Sequence, residues 1–108
     1  GRGALEKLMD DLQLSREVKV MDEVLLRIAQ EGAVAYGMKE VREAIGYGAA
    51  EQVLVADTLL RDAPVMRLIE DAEAMRAMIV VLSSSFEPGE RLVALGGIAA
   101  LLRYKLVK

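Results

Sequence analysis

Apolar residues recur with two different spacings, and these spacings alternate along the chain. Spacings of three and four residues recur in several segments and predict helices, and short, almost continuously apolar runs lie between them. These runs predict four strands, at 33–36, 52–56, 77–82 and 98–104. The predicted order of elements is therefore α-α-β-α-β-α-β-α-β.

The first thirty residues predict two helices. The first helix carries one apolar stripe, formed by Leu5, Leu8, Met9 and Leu12. Ser15 is suited to be the N-cap of the second helix, and the acidic residue Glu17 would lie in the first turn of that helix. A short isolated helix is marginal in water, so we expect the stripe to pack back on the domain. We therefore divide the chain into a connecting helix from a preceding domain, 1–14, and the domain itself, 15–108.

Strands that are apolar on both faces and separated by helices predict a sheet that is covered on both sides. We expect an α/β/α sandwich with a four-stranded mixed sheet and mostly parallel pairing. The run 77–82 is the clearest strand, so Ile79 and Val81 should both be buried. The glycines at 46–48 and 96–97 follow helices, whereas phosphate-binding loops follow strands, so they predict helix C-caps.

Composition limits the chemistry that the chain can perform. It has no cysteine, which excludes disulfides and thiolate nucleophiles, and no histidine, the usual general base at neutral pH. Acidic residues at 10–11 and 70–73 point in different directions around their helices, which predicts solvated faces instead of an acid–base pair. We therefore expect no catalytic residue, no cofactor and no metal site.

Charge and hydropathy limit the partners. The net charge of −3 disfavours a surface that neutralises nucleic-acid phosphates. The longest apolar runs are too short to span a bilayer, and neither end resembles a signal peptide. These features argue against a free nucleic-acid binder and against a membrane-spanning segment.

The C-terminal third resembles the ending of Pelota proteins. There a serine pair, a Gly-Glu, a Leu, a Gly-Ile-Ala and a Leu-Arg-aromatic follow in this order, as they do within 83–104 here. The stretches 18–23, 35–41 and 54–61 resemble the first helix, the Tyr-Gly segment and the second strand of the same family. Compact loops such as 61–64 are typical of an archaeal member.

The resemblance implies a function. Pelota is related to class 1 translation termination factors, and its C-terminal domain is a docking domain in ribosome rescue, no-go and non-stop mRNA surveillance and ribosome recycling. The implied partners are a translational GTPase resembling elongation factor one-alpha, an ATP-binding-cassette recycling ATPase and, through the full-length protein, the stalled ribosome. The resemblance also implies a cytoplasmic location, and we expect the isolated domain to be a monomer.

Two catalytic features of related proteins have no counterpart in this chain. The Gly-Gly-Gln hydrolysis motif of termination factors belongs to another domain and is absent here. A metal-dependent endonuclease activity proposed for the family has no supporting residues in this sequence. We therefore expect the domain not to be an enzyme.

The loops after the first and third strands contain the candidate partner-binding residues, because open α/β sheets bind ligands at such ends. The candidates are Tyr36, Gly37, Glu40, Ser84, Ser85, Phe86 and Glu90. Phe86 is either an interface anchor or a lid on the local core, while Ser85 and Glu90 are equally suited to cap a helix. Ser85 or Glu87 would cap the helix that Pro88 begins.

An RNA-binding function is the alternative. The same fold family includes ribosomal proteins that bind RNA kink-turns through a Gly-x-Asn-Glu segment after the first strand. The corresponding segment here is 37–40, which retains Glu40 but has Lys39 in place of the asparagine.

Overall fold

The computed structural model describes residues 2–107. In chain order the elements are α1 (Arg2–Ala29), β1 (Val34–Tyr36), α2 (Met38–Gly46), β2 (Ala50–Ala56), α3 (Ala63–Ala74), β3 (Met78–Leu82), α4 (Glu87–Ala94) and β4 (Ile98–Leu102). A 3-10 turn, Asp57–Leu59, follows β2. Gly1 and Lys108, the outer residues of the predicted ranges 1–14 and 15–108, lie outside the described residues.

Arg2–Ala29 form one long helix, so the predicted break at Ser15 is wrong. No glycine or proline occurs between Ala4 and Ala29, and most residues there are strong helix formers. The helix ends only where Glu31 takes a positive φ of 53° and Gly32 donates to the carbonyl of Arg27 at 2.8 Å. The division of the chain into a connecting segment, 1–14, and a domain, 15–108, stays a prediction.

The first half of α1 projects from the rest of the molecule. The four side chains of its apolar stripe are between 50% and 61% exposed, and these are Leu5, Leu8, Met9 and Leu12. The expectation that this stripe packs back on the domain is therefore wrong. The molecule is elongated as a result, with principal extents of 52 × 31 × 24 Å.

The sheet is mixed, as predicted, with the strand order β1-β4-β2-β3. Only β2 and β3 pair in parallel, while β4 is antiparallel to both β1 and β2. The expectation of mostly parallel pairing is wrong because the last strand inserts between the first two in the opposite direction.

The strand β3 lies at the edge of the sheet. Val81 is 41% exposed, Met78 is 63% exposed and Ile79 is half-buried, so the expected burial of this strand on both faces is wrong. All five residues of β4 are buried, which places the two-sided burial in a central strand. β4 also ends at Leu102, two residues before its predicted end.

Each face of the sheet has its own apolar core. On one face α2 and α3 pack against the sheet, with Val41, Ile45, Val65 and Leu68 buried against Val53 and Ile98. On the other face α1 and α4 contribute Met21, Val24 and Leu92, which pack against Leu54 and Leu101. The predicted α/β/α sandwich is confirmed.

Candidate functional site

Three strands end on the same side of the sheet. Because β1 and β2 are both antiparallel to β4, and β3 is parallel to β2, the carboxyl ends of β1, β2 and β3 lie together beside the start of β4. The predicted site residues follow β1 and β3, so all of them occur on segments that leave this end or on the helices that follow. Their roles in binding stay predictions.

The two groups of predicted residues do not meet. Tyr36 ends one edge strand and Gly37 follows it, whereas Ser84 follows the other edge strand, with two strands between them. At about 4.8 Å per strand spacing, the two edges are roughly 14 Å apart. The structure therefore separates the predicted surface into two halves.

Backbone and side-chain hydrogen bonds join the two halves through residues that sequence reasoning did not select. The backbone N–H of Gly37 donates to the carbonyl of Ile98 at 3.0 Å, and that of Ala56 donates to Gly97 at 2.9 Å. The N–H of Ser84 donates to the Oδ1 atom of Asp57 at 3.1 Å. We call these connected segments, 36–37, 96–97, 56–57 and 83–86, the sheet-end rim.

Glycine is required at the centre of the rim. Gly96 and Gly97 have positive φ angles of 110° and 85°, and a Cβ on Gly97 would lie 2.5 Å from the Cδ1 atom of Leu59. The N–H of Gly97 donates to the carbonyl of Leu92 at 2.9 Å, so the prediction that these glycines end α4 is confirmed.

The serine loop, residues 83–86, is fixed by hydrogen bonds that its backbone N–H groups donate. Ser83 donates to the Oε1 atom of Glu17 at 2.9 Å, and Ser84 donates to Asp57. The N–H of Ser85 donates to the hydroxyl of Ser83, and that of Phe86 to the carbonyl of Ser83, both at 3.2 Å. All four backbone N–H groups are therefore bonded inside the domain, and two of them bond to carboxylates.

Glu17 is the one buried charged residue among those that the structure describes, with 2% of its surface exposed. Its second carboxylate oxygen accepts from the Nε2 atom of Gln13 at 2.8 Å, so both oxygens are bonded. A buried carboxylate without such partners would be strongly destabilising. The signal was present in the sequence, because Glu17 is four and seven residues before the apolar Met21 and Val24.

Asp57 is the second carboxylate that holds the loop. Hydrogen bonds from the hydroxyl and the backbone N–H of Ser84 lower the pKa of Asp57 below its usual value. These bonds favour the charged form, which is the stronger acceptor. Asp57 follows β2 directly, and sequence reasoning had treated it only as part of a family-like turn.

Gly89 allows α4 to lie directly against the serine loop. A Cβ on this residue would be 1.9 Å from the carbonyl oxygen of Ser83, a distance that no side chain tolerates. This close contact explains why the first residue of the Gly-Glu pair, in the segment that resembles the Pelota ending, is a glycine.

Phe86 is the N-cap residue of α4 and makes no side-chain cap, so the prediction that Ser85 or Glu87 caps this helix is wrong. The phenylalanine side chain is half-buried, while Ser85 and Glu90 are exposed. Tyr36, at the other edge, is 41% exposed. The rim thus presents two separated aromatic rings with polar groups between them.

The polar groups of the rim are hydroxyls, backbone amides and single carboxylates. Within residues 2–107 no group of three Asp or Glu side chains is arranged to hold a metal ion. No helix in that range is long and apolar enough to cross a bilayer.

Comparison with known proteins places the chain in a family. The family model of eRF1 domain 3 matches residues 14–106. A pelota homolog of Methanoregula boonei is 68% identical over 106 residues, which is 98% of this chain and 31% of that protein. This chain spans about a third of the length of the curated relatives it matches.

Solved structures agree with this assignment. Archaeoglobus fulgidus Pelota superposes with a TM-score of 0.91 at 40% identity, covering 99% of this chain and 35% of that one. A model of ribosome-bound archaeal Pelota and ABCE1 gives 0.82 at 42% identity, covering 99% and 31%. The S. cerevisiae protein Dom34, a translation termination-like factor interacting with Hbs1, gives 0.79 at 36% identity, covering 85% and 28%. The chain therefore belongs to the eRF1 domain 3 family and corresponds to the C-terminal domain of archaeal Pelota proteins.

Proposed function

We propose that this domain is the docking module of a Pelota-type ribosome-rescue factor acting on stalled ribosomes in the cytoplasm. Family membership supports this role, since the relatives include a ribosome-bound Pelota. The domain is proposed to act as a monomer, without a cofactor and without catalysis of its own.

The proposed partners are an ATP-binding-cassette recycling ATPase and a translational GTPase resembling elongation factor one-alpha. Archaeal Pelota is described on the ribosome together with ABCE1, and Dom34 is described as interacting with Hbs1. The pairing of archaeal Pelota with ABCE1 and of Dom34 with Hbs1 supports the same two classes of partner for the present chain.

The serine loop is proposed as part of the docking surface. The observation that carries this proposal is that every backbone N–H of the loop is bonded within the domain while Ser85 stays exposed and Phe86 half-buried. A loop that is already ordered loses little conformational entropy on binding. Aromatic side chains held in this way are frequent anchors of protein interfaces.

Calorimetric titration of the domain with the recycling ATPase, and separately with the GTPase, tests the proposal. We expect Phe86→Ala to weaken binding of at least one partner by about 2 kcal/mol, the usual effect of removing an interface anchor. Val93→Ala is the matched control, because Val93 is an exposed apolar residue of α4 outside the serine loop. Thermal melts of both variants confirm that the fold is intact.

The outcomes separate the parts of the proposal. If the unmodified domain binds neither partner, the docking function is wrong. If Phe86→Ala binds both partners as the unmodified domain does, the docking surface lies elsewhere on the domain. A kink-turn RNA at physiological salt tests the RNA-binding alternative, and we expect it not to bind.

A further inference from the structure

One buried carboxylate connects α1 to the serine loop. The Oε1 atom of Glu17 accepts from the backbone N–H of Ser83 at 2.9 Å, and the two residues are 66 positions apart in the chain. The Oε2 atom accepts from Gln13 at 2.8 Å, which holds the carboxylate from its own helix. Glu17 therefore contacts the loop from a fixed position on α1.

Glu17 also marks the point where α1 joins the domain. Residues 3–16 of the helix are exposed, and Glu17 is its first buried residue. Met21 and Val24 follow on the same face and are buried against the sheet. The link to the loop thus lies at the boundary between the projecting half of α1, residues 2–16, and its packed half, residues 17–29.

We propose that Glu17 is a positioning residue for partner docking: it holds the serine loop against α1 so that Ser85 and Phe86 are presented in the geometry that binds the partner. This inference rests on the proposed function, which assigns docking to that loop. Hydrogen bonds to a charged acceptor are stronger than those between neutral groups, so this one fixes the loop effectively. Without the acceptor, the Ser83 N–H would lose its partner and the start of the loop would be free to move.

The link has a reciprocal consequence. If the direction of α1 influences the loop, then a partner bound to the loop must influence the direction of α1 by the same free energy. Glu17 is thus the contact through which docking and helix orientation are connected.

Substitutions at Glu17 separate this role from ordinary packing. Glu17→Met fills a similar volume without an acceptor, so the Ser83 N–H is left unpaired and a moderate loss of stability is expected. Glu17→Gln keeps an acceptor oxygen for the Ser83 N–H, and the Gln13 amide can flip to serve the new NH₂ group. A residue that only supported stability would leave the affinity of the folded domain unchanged, whereas loss of a positioning residue would weaken partner binding.

The test combines amide hydrogen exchange at residues 83–86, measured by NMR, with calorimetric titration of the recycling ATPase and the GTPase. For Glu17→Met we expect roughly tenfold faster exchange at Ser83 and roughly tenfold weaker partner binding, the loss typical of one hydrogen bond to a charged group. The melting temperature should fall by roughly 5–10 °C, which leaves the domain folded at the temperature of the titration. Glu17→Gln should stay close to the unmodified domain in all three measurements. Glu23→Gln is the matched control, because Glu23 lies on the same helix and pairs with Arg27 away from the loop.

Three results would overturn the inference. Unchanged Ser83 exchange in Glu17→Met would show that the carboxylate does not hold the loop. Faster exchange with unchanged affinity would show that the loop position does not matter for docking. Equal loss of affinity in Glu17→Gln and Glu17→Met would show that the acceptor is not what counts.

Two further results are separable from these. If the unmodified domain binds neither partner, the proposed function fails, while the exchange measurement still decides whether Glu17 holds the loop. If Glu17→Met does not fold, Glu17→Asp takes its place. The shorter side chain keeps the charge but withdraws from Ser83, so faster exchange and weaker binding are again expected, and unchanged values would refute the inference.

Discussion

The two halves of α1 have the same helical periodicity and opposite surroundings. In the first half Leu5, Leu8, Met9 and Leu12 form a regular apolar stripe, yet each is at least half exposed. In the second half Met21 and Val24 continue a similar stripe and are completely buried. Periodicity therefore identifies the face that a helix can bury, whereas the residues that bury this face must come from other elements of the fold.

A substitution in the packed half of α1 should lower the free energy of unfolding more than any other change considered below. Met21→Ala should lower the free energy of unfolding by about 3 kcal/mol, because a large core side chain is replaced by a cavity. Leu8→Ala in the projecting half should change it by less than about 0.5 kcal/mol, the usual range for an exposed position. Urea denaturation of both variants measures the difference. Similar losses would mean that the projecting half is covered in solution and that the comparison fails.

Arg27, near the C-terminal end of the packed half, gives the next effect. Its guanidinium donates to the carbonyls of Ala33 and Leu102 at 3.1 Å and pairs with Glu23. The helix is thereby joined to β4 and to the residue that precedes β1. We expect Arg27→Ala to cost about 2 kcal/mol, because two carbonyls lose a charged donor.

Arg16→Ala is the matched substitution, since Arg16 is exposed in the projecting half. It should leave the denaturation midpoint almost unchanged. A loss as large as that of Arg27→Ala would show that the boundary between the two halves lies earlier in the helix than Glu17.

The smallest effect is a dependence on pH at the loop that the packed half supports. The pKa of Asp57 is lowered by Ser84, so its contribution to stability is complete above the ordinary carboxyl value of 3.8 and is lost only as the pH falls through the lower folded value. An NMR titration of the Asp57 carboxyl carbon should therefore show a midpoint below 3.8. In Ser84→Ala the midpoint should rise, since the hydroxyl donor is gone. A midpoint at or above the ordinary value in the unmodified domain would contradict the Ser84 contact.

The sandwich and the approximate positions of all four strands could be predicted from the sequence, because runs of apolar residues between helices require two covered faces. The strand order could not. The run 78–82 is as apolar as a central strand, but β4 occupies the centre and leaves Met78 and Val81 at an edge. The apolarity of a strand indicates that the strand avoids water, but it does not indicate which neighbouring element buries it.

The candidate site was predictable in part for a related reason. Tyr36 and Ser84 were placed correctly at strand ends, because a strand end can be recognised locally. Glu17 and Asp57 were missed because their importance lies in bonds to Ser83 and Ser84, which are 66 and 27 residues away. Interpreting Ser15 as a helix cap also assigned Glu17 to the first turn of a new helix, which concealed its place on the buried stripe.

The continuity of α1 has a mechanical consequence. Fifteen residues separate Arg2 from Glu17, and at 1.5 Å per residue the projecting half is a lever arm of about 22 Å. A tilt of roughly 10° at Glu17 moves the far end by about 4 Å, a displacement as large as the width of a side chain. An uninterrupted helix transmits such a tilt without bending, since no glycine or proline between Ala4 and Ala29 absorbs it. A small change in the orientation of α1 at Glu17 would therefore become a displacement of several ångströms at Arg2.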